Sequence, residues 1–350
     1  MSTANLDSAD LKAVKSGGLI REDVMNKIFD ISRIPLPFTD MIGDETAKNA
    51  YVEWTQDTLA SPNLSNAVVD GSDASGNDTA VGRRVGNQHQ ISVKVVQVSY
   101  RADASNTIGR AKELAYQVMR RQQELRRDVE AIALSNQASV ADDGNTTAGK
   151  VGGLPAWMVT NTSNGASPGA NGGFDSANNG GKLVTARTAG VARALSEDTL
   201  RDIIESVYNQ GGDPTVMMTT PKLIRRFSKY MLTSGSHVAT IMADQGQSKK
   251  PATALGAVNV FVTDFGTIKA VPNRLQQTYA SSDAATCADV FILDPAYLSM
   301  CYLKGYQTDE LAKTGLSEKR LMSVDWTLIV HTEKAHGRIS DVNVASAMVA

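Results

Sequence analysis

At 350 residues, with 42% hydrophobic and 21% charged side chains, the chain can bury roughly three-quarters of its unfolded surface and is too apolar for wholesale disorder. Its formal net charge of -2 excludes a DNA-coating protein that works through a global positive field, though not a container whose inner wall lets DNA slide. Two cysteines, Cys287 and Cys301, are too few for a disulfide framework. The N-terminal MSTANLDSADLKAVKSGG lacks a signal-peptide core, and no run reaches the roughly eighteen apolar residues of a membrane span. These features predict folding in a cytoplasm, with reduced cysteines and no membrane partner.

Residues 1–33 are polar except for 19–31, where Ile20, Val24, Ile28 and Ile31 recur at helical spacing. Ile34-Pro35-Leu36-Pro37-Phe38 follows as an extended stretch, because a residue before proline avoids the α region. Residues 1–38 therefore read as an arm that docks elsewhere, with Ile20, Val24 and Ile28 as its packing residues. Residues 51–60 (YVEWTQDTLA) read as a strand with Asp57 on one face and Trp54 on the other. Residues 90–100 (QISVKVVQVSY) alternate better, with Ile91, Val93 and Val95 sharing a face and Lys94 between them. The segment 61–87 between them is rich in Gly, Asn, Asp and Ser and reads as a loop. Two strands joined by such a tip form a projecting hairpin, marginal alone in water, that needs a neighbouring subunit.

The strongest helical pattern covers 108–136, with Ala111, Ala115, Val118, Gln122, Leu125, Val129, Ile132 and Asn136 as its seam. A continuous helix over that range is on the order of 43 Å long. Arg120, Arg121, Arg126 and Arg127 interleave there with Glu113, Glu124, Asp128 and Glu130. Arg120–Glu124 and Arg126–Glu130 have the i,i+4 spacing of ion pairs. The arginines fit a solvated helix face, a register-setting contact to a neighbouring subunit, or, third, DNA. Residues 141–182 are low in complexity around the ordered piece Gly153–Val159 and read as surface loop.

Residues 196–210 predict an amphipathic helix with Ser196 at its cap and Leu200, Ile203, Ile204 and Val207 facing inward. Gly211-Gly212-Asp213-Pro214 ends it. A strand follows at 215–219 and a helix from Pro221 through Met231, with proline at its first position. Further strands are expected at 258–263, 267–271, 289–293 and 321–332. The chain is thus a mixed α+β protein without a regular βαβ array.

Catalytic signatures are absent: no GxGxxG after a strand, no GxxxxGK[ST], no HExxH and no GxSxG. Adjacent Ser236 and His237 point apart on most backbones, and His336 falls beyond the strand that would align His331 with Glu333. Neither group predicts a catalytic or metal site, and no cofactor is expected. The remaining hydrolase reading would need a site that no motif reveals.

Several stretches then carry a resemblance: IPLPFTDMIG (34–43), YVEWTQDTLA (51–60), residues 90–134, GLPAWMVTN (153–161), GGDPTVMMTTPKLIRRFS (211–228), VFVTDFGTIKAVPNR (260–274) and ELAKTGLSEKRLMSVDWTLIV (310–330). Taken in order, the chain resembles the major capsid proteins of tailed phages, in the branch described as the major head protein family of small tailed phages. The resemblance implies the Hong Kong 97 (Johnson) fold. Residues 1–45 would be the N-terminal arm and 46–103 the extended loop. Residues 104–195 would be the peripheral domain with its spine helix, 196–300 the axial domain, and 301–350 the strand returning to the peripheral domain.

The implied function is an icosahedral shell, built from pentamers and hexamers in the host cytoplasm, that expands around a double-stranded DNA genome. Its implied partners are copies of itself, a portal protein, and packaged DNA touched on the inner face without sequence specificity. A separate scaffolding protein is expected, because the arm is too short to scaffold. The alternative within the fold is a cellular nanocompartment shell. The Gly/Asn-rich insert 163–181 departs from the family pattern and reads as a surface elaboration. Some relatives cross-link a lysine to an asparagine between subunits. Here Lys94, the only lysine of the 51–100 hairpin, lies on a strand and not at the tip. Denaturing gels of particles should therefore show monomer bands, and a ladder resistant to boiling and reductant would contradict this.

Overall fold

The computed structural model describes residues 35–71, 82–175, 182–233, 260–313 and 315–349. In chain order its strands are β1 (Gly43–Thr46), β2 (Tyr51–Gln56), β3 (Arg83–Gln88), β4 (Gln90–Ser99), β5 (Thr162–Ser163), β6 (Gly173–Phe174) and β7 (Leu183–Thr185). They continue with β8 (Val216–Thr219), β9 (Val260–Thr263), β10 (Gly266–Pro272), β11 (Tyr279–Ala280), β12 (Thr286–Leu293), β13 (Leu298–Glu310), β14 (Ser317–Val330) and β15 (Gly337–Asn343). The helices are α1 (Tyr100–Ala104), α2 (Glu113–Ala133), α3 (Leu154–Trp157), α4 (Glu197–Asn209) and α5 (Pro221–Thr233). Two compact units arise, one from 94–123 with 308–322 and one from 35–93, 124–307 and 323–350.

The larger unit is organised by a seven-stranded sheet in the order β5-β15-β12-β8-β10-β9, with β11 pairing β12. β8 and β10 run parallel, with Val216 opposite Lys269, while β12 is antiparallel to both β8 and β15. One face of this sheet supplies Met217, Ile268, Ala270, Val290, Ile292 and Ile339 to the core. α4 covers it with Leu200, Ile203, Ile204 and Val207, and α5 with Leu223, Phe227 and Met231. The four inward positions expected of α4 are the four it buries. Ser196 stands at its N-cap with extended backbone, and Gly211 ends it at φ +92°, a conformation that costs glycine nothing. β15 belongs to this sheet beside β12, so 337–343 packs with the strands around it and not as a tail.

The smaller unit holds the outer part of β4, α1, the first half of α2 and the turn between β13 and β14. Gln97 Nε2 donates to Ser317 Oγ (2.9 Å) and Tyr100 N to Leu316 O (3.2 Å). Arg320 grips Glu310 (3.2 Å) and Glu318 (2.6 Å). β4 is an edge strand of the four-stranded sheet β1-β13-β14-β4.

Three expectations change. The helix expected over 108–136 is Glu113–Ala133, about 32 Å long. Gly109 at φ +76° and a bridge between Thr107 and Arg110 keep the chain non-helical before it. Asp103 Oδ1 then accepts from Leu114 N (3.1 Å), satisfying one of the orphan amides of the first turn. Its seam is buried only at Leu125 and Val129, joined by Glu130 and Ala133, while Ala111, Ala115 and Gln122 are exposed.

The hairpin also differs. β2 pairs with 83–88, from Tyr51↔Gln88 to Gln56↔Arg83, and 90–99 leaves to the other sheet. Buried Asn87 forces the separation: its side chain donates to Gly152 O (3.2 Å) and Leu328 O (2.8 Å) and accepts from Gly152 N (2.8 Å). Gly86 is required opposite Glu53, since a Cβ there would lie 2.7 Å from the backbone carbonyl of Val52 as well as against the Tyr51 ring. The third change concerns 141–182, which is not wholly surface loop. Leu154, Ala156 and Trp157 of the expected ordered piece are buried, and outside that piece Asn171 accepts from buried Arg338 Nη2 (2.8 Å).

Candidate functional site

The candidate site is a set of surfaces with the clamps that hold them. The hairpin β2–β3 is fastened at its base, and its described residues past β2 stand exposed. Trp54 Nε1 (3.3 Å) and Gln56 Nε2 (2.7 Å) donate to the His331 carbonyl at the end of β14. The Trp54 ring lies 5.4 Å from that of Trp157, which meets Phe174 at 5.5 Å. Trp54 is thus engaged within its own chain. Beyond Gln56 the strand ends, and Leu59 (99% exposed), Leu64 (98%), Val68 and Val69 stand in solvent. Asp57 is exposed there, its Oδ1 taken by Thr58 N (2.8 Å). Residues 72–81 of the expected loop lie outside the described residues.

Apolar residues this exposed at 59–69 are expected to be protected only in an assembly. Hydrogen exchange at 57–71 should be fast in isolated subunits and slow in assembled particles. Equal protection in both states would contradict that role.

A second apolar surface is the outer face of β4. Ile91, Val93 and Val95 are exposed, whereas Ser92, Val96 and Val98 are buried. Lys94, half-buried on the same strand, interacts within the chain.

The segment around Thr39 and the helix α2 meet at Glu130. This carboxylate is fully buried and accepts from Thr39 N (3.3 Å), Thr39 Oγ1 (2.7 Å) and Asn273 Nδ2 (2.8 Å). Burial raises its pKa, and the hydrogen bonds from Thr39 and Asn273 oppose that rise. The Arg126–Glu130 pair expected from spacing is therefore replaced by a clamp tying the Thr39 segment and the turn after β10 to α2. Arg126 is exposed, its guanidinium 5.2 Å from the Tyr306 ring. Arg127 is half-buried, and Arg120, Arg121, Glu124 and Asp128 all have partners within the chain. Ile20, Val24 and Ile28 lie outside the described residues. No sequence signal marked Glu130 as different from its neighbouring acids; its burial follows from where Thr39 and Asn273 arrive.

Behind the sheet lies a charged cluster that sequence reasoning missed. Arg187 Nη2 meets Asp289 (3.1 Å) and Nη1 meets Asp341 (3.3 Å), with all three side chains nearly or wholly buried. Its guanidinium stacks 4.3 Å from the Tyr279 ring. The Tyr279 hydroxyl donates to Asp289 Oδ1 (2.6 Å) and accepts from Asp341 N (2.8 Å). Burial and the two aspartates push the Tyr279 pKa well up. Arg338, fully buried, donates to Pro155 O, Asn164 Oδ1 (3.0 Å) and Asn171 Oδ1. Burial lowers its pKa to about 10.

One group resembles a hydrolytic triad and is not one. Ser299 Oγ donates to Glu45 Oε1 (2.6 Å), and His331 Nε2 lies 3.0 Å from that hydroxyl and 3.1 Å from that carboxylate. A triad places the serine and the carboxylate on opposite ring nitrogens. Here both meet the same one, so no relay forms, and the group ties β1 to β13 and β14. Glu333 is taken by Val159 N, Thr160 N and the Thr160 hydroxyl. Among the described residues no group of three or more His, Cys, Asp or Glu is placed to hold a metal, and Ser236 and His237 lie outside them.

Residues 3–343 match the family model described as SU10 major capsid protein. Over 113 residues the chain is 38% identical to the major capsid protein of Escherichia phage Phieco32. That alignment covers 32% of this chain and 32% of that protein, so the chain matches about a third of that relative's length. Among solved structures it resembles the capsid of a native GTA particle, with TM-score 0.59 and 12% identity over 97% of this chain and 100% of the other. It also resembles a chain of Mycobacterium phage Cain (TM-score 0.55, 10% identity, 98% and 100% covered) and one of Gordonia phage Cozz (0.52, 12%, 93% and 93%). At these identities the likeness is one of fold, a mixed α+β fold of the Hong Kong 97-like capsid type.

Proposed function

The chain belongs to the SU10 major capsid protein family and is a structural component of a phage virion, not an enzyme; from that premise we propose that it self-assembles, as pentamers and hexamers, into an icosahedral head around a double-stranded DNA genome. The observation that carries this reading is the family match across nearly the whole chain. That membership favours a phage shell over a cellular nanocompartment of the same fold. The exposed apolar residues at 59–69 and the apolar face of β4 supply surface that assembly would cover.

In this reading residues 1–45 strap a neighbouring subunit and 46–103 form the extended loop. Residues 104–195 carry the spine helix of the peripheral domain, and 196–300, with β15 added, form the axial domain. The shell expands when DNA enters, holds DNA on its inner face without sequence readout, and seats a portal protein at one vertex.

A separately encoded scaffolding protein sets the size. A scaffold must associate with copies of itself, and the single amphipathic segment 19–31 offers little area for that. Expressed alone, the chain should give irregular shells, open sheets or free capsomers under negative stain. Addition of the scaffold should give uniform closed particles. Uniform closed particles of native size from this chain alone would overturn the scaffold requirement, and no assembly under either condition would overturn the shell reading.

A further inference from the structure

α5 carries four cations, Lys222, Arg225, Arg226 and Lys229, and no acid. Arg226 is half-buried and donates to Ala345 O (2.8 Å). The other three are exposed, and at 100° per residue they fall within an arc of about 60° on the side away from the core. α4 mirrors this pattern with opposite sign. Asp198, Asp202 and Glu205 are exposed and also fall within about 60°, opposite the buried Leu200, Ile203, Ile204 and Val207. Each stripe spans seven residue steps, about 10 Å of helix.

Lys229 already has a partner within the chain. Among the described residues Asp202, Glu205, Lys222 and Arg225 have no ion-pair partner, whereas Arg201 on α4 is held by Glu197 (2.9 Å) and Asp264 (3.2 Å). We propose that the basic stripe of α5 in one copy docks on the acidic stripe of α4 in a second copy, as a contact that sets register between subunits. The inference rests on the shell reading. Stripes of equal length and opposite sign are complementary between identical chains.

Nucleic acid fits this surface less well. Both helices cover the same face of one sheet, so a phosphate backbone approaching α5 would also meet the three carboxylates of α4. Exposed ion pairs are individually weak and screened by salt, so the contact contributes orientation more than bulk affinity.

The test uses charge reversal in the full chain. Asp198 keeps its place, because it favours the positive end of the α4 dipole. Asp202→Lys with Glu205→Lys, and separately Lys222→Glu with Arg225→Glu, should each lower the assembled fraction at fixed protein concentration by about tenfold at low salt. Combining all four changes should restore it. Thermal melts of the isolated subunits should match wild type in each case, since all four positions are exposed. If both single-stripe variants assemble like wild type, or the combined variant is not rescued, the contact is refuted while wild-type shells keep the shell reading intact. If only the α5 variant fails, and its particles lose packaged DNA, the stripe faces nucleic acid and the proposal is overturned. Failure of wild-type protein to form shells even with its scaffold present would instead remove the premise.

Discussion

Replacing Arg187 with methionine is expected to destabilise the isolated subunit by about 3–5 kcal/mol, the usual result of removing one partner from a buried ion pair. The Asp289 and Asp341 side chains are 6% and 0% exposed and cannot recover water when the guanidinium leaves. Burial by itself would lower the Arg187 pKa, yet Asp289, Tyr279 and Asp341 together hold it above its usual value, so the cation is strongly retained. Asp341 also sits at φ +59°, with Gly165 N bound to its Oδ2 (2.9 Å), so the cluster fixes the backbone of β15 as well as its charge. Urea unfolding of wild type and variant, with matched slopes, measures the difference. Arg126→Ala, which removes an exposed cation over an aromatic ring, should cost no more than about 1 kcal/mol. A similar small value for Arg187→Met would mean that the cluster does not hold the sheet together.

Acid should weaken the subunit through His336. This imidazole is fully buried; its Nδ1 accepts from Asp294 N (3.3 Å), and burial pushes its pKa down to about 4 from the ordinary 6.5. The folded state keeps the ring neutral, while the unfolded chain protonates it below about 6.5. Protons therefore bind the unfolded state more readily between pH 6.5 and 4. The stabilising contribution is complete above pH 6.5 and is lost as pH falls through that window, reaching about 3 kcal/mol at its lower end. Melting temperatures of wild type and His336→Gln from pH 7 to pH 4 would test this. The wild-type curve should fall more steeply, and parallel curves would show that the histidine is not the group titrating. The same linkage predicts no benefit from raising pH above 7.

Amphipathic helices with clear stops were legible from local pattern alone. For α4, the apolar spacing of Leu200, Ile203, Ile204 and Val207 and the Gly211 terminator are enough, because a helix needs only one face to bury. α5 followed from Pro221 at its first turn, and β8, β12 and most of β14 from runs of apolar and β-branched residues. Family order along the chain carried the function, which no spacing of catalytic groups could have done.

The tertiary structure decided the rest wherever a polar residue is buried or a partner is distant in sequence. RRVGNQ at 83–88 has no alternation that marks a strand. It becomes one because Asn87 finds backbone partners at Gly152 and Leu328. The apolar stripe expected from 108 onward is clean at its N-terminal end, but the helix starts only at Glu113 and among the described residues Ala111 and Ala115 are exposed, so periodicity there reports no core. GRISDVN at 337–343 contains Arg338, Ser340 and Asp341 and lies beyond the last strand expected from the sequence, 321–332, yet six of its seven residues are buried. Buried charge is tolerated only where partners are prepositioned. Those partners, Arg187, Asn164 and Asn171, come from segments 154 to 174 residues away, so only the folded chain could bring them together.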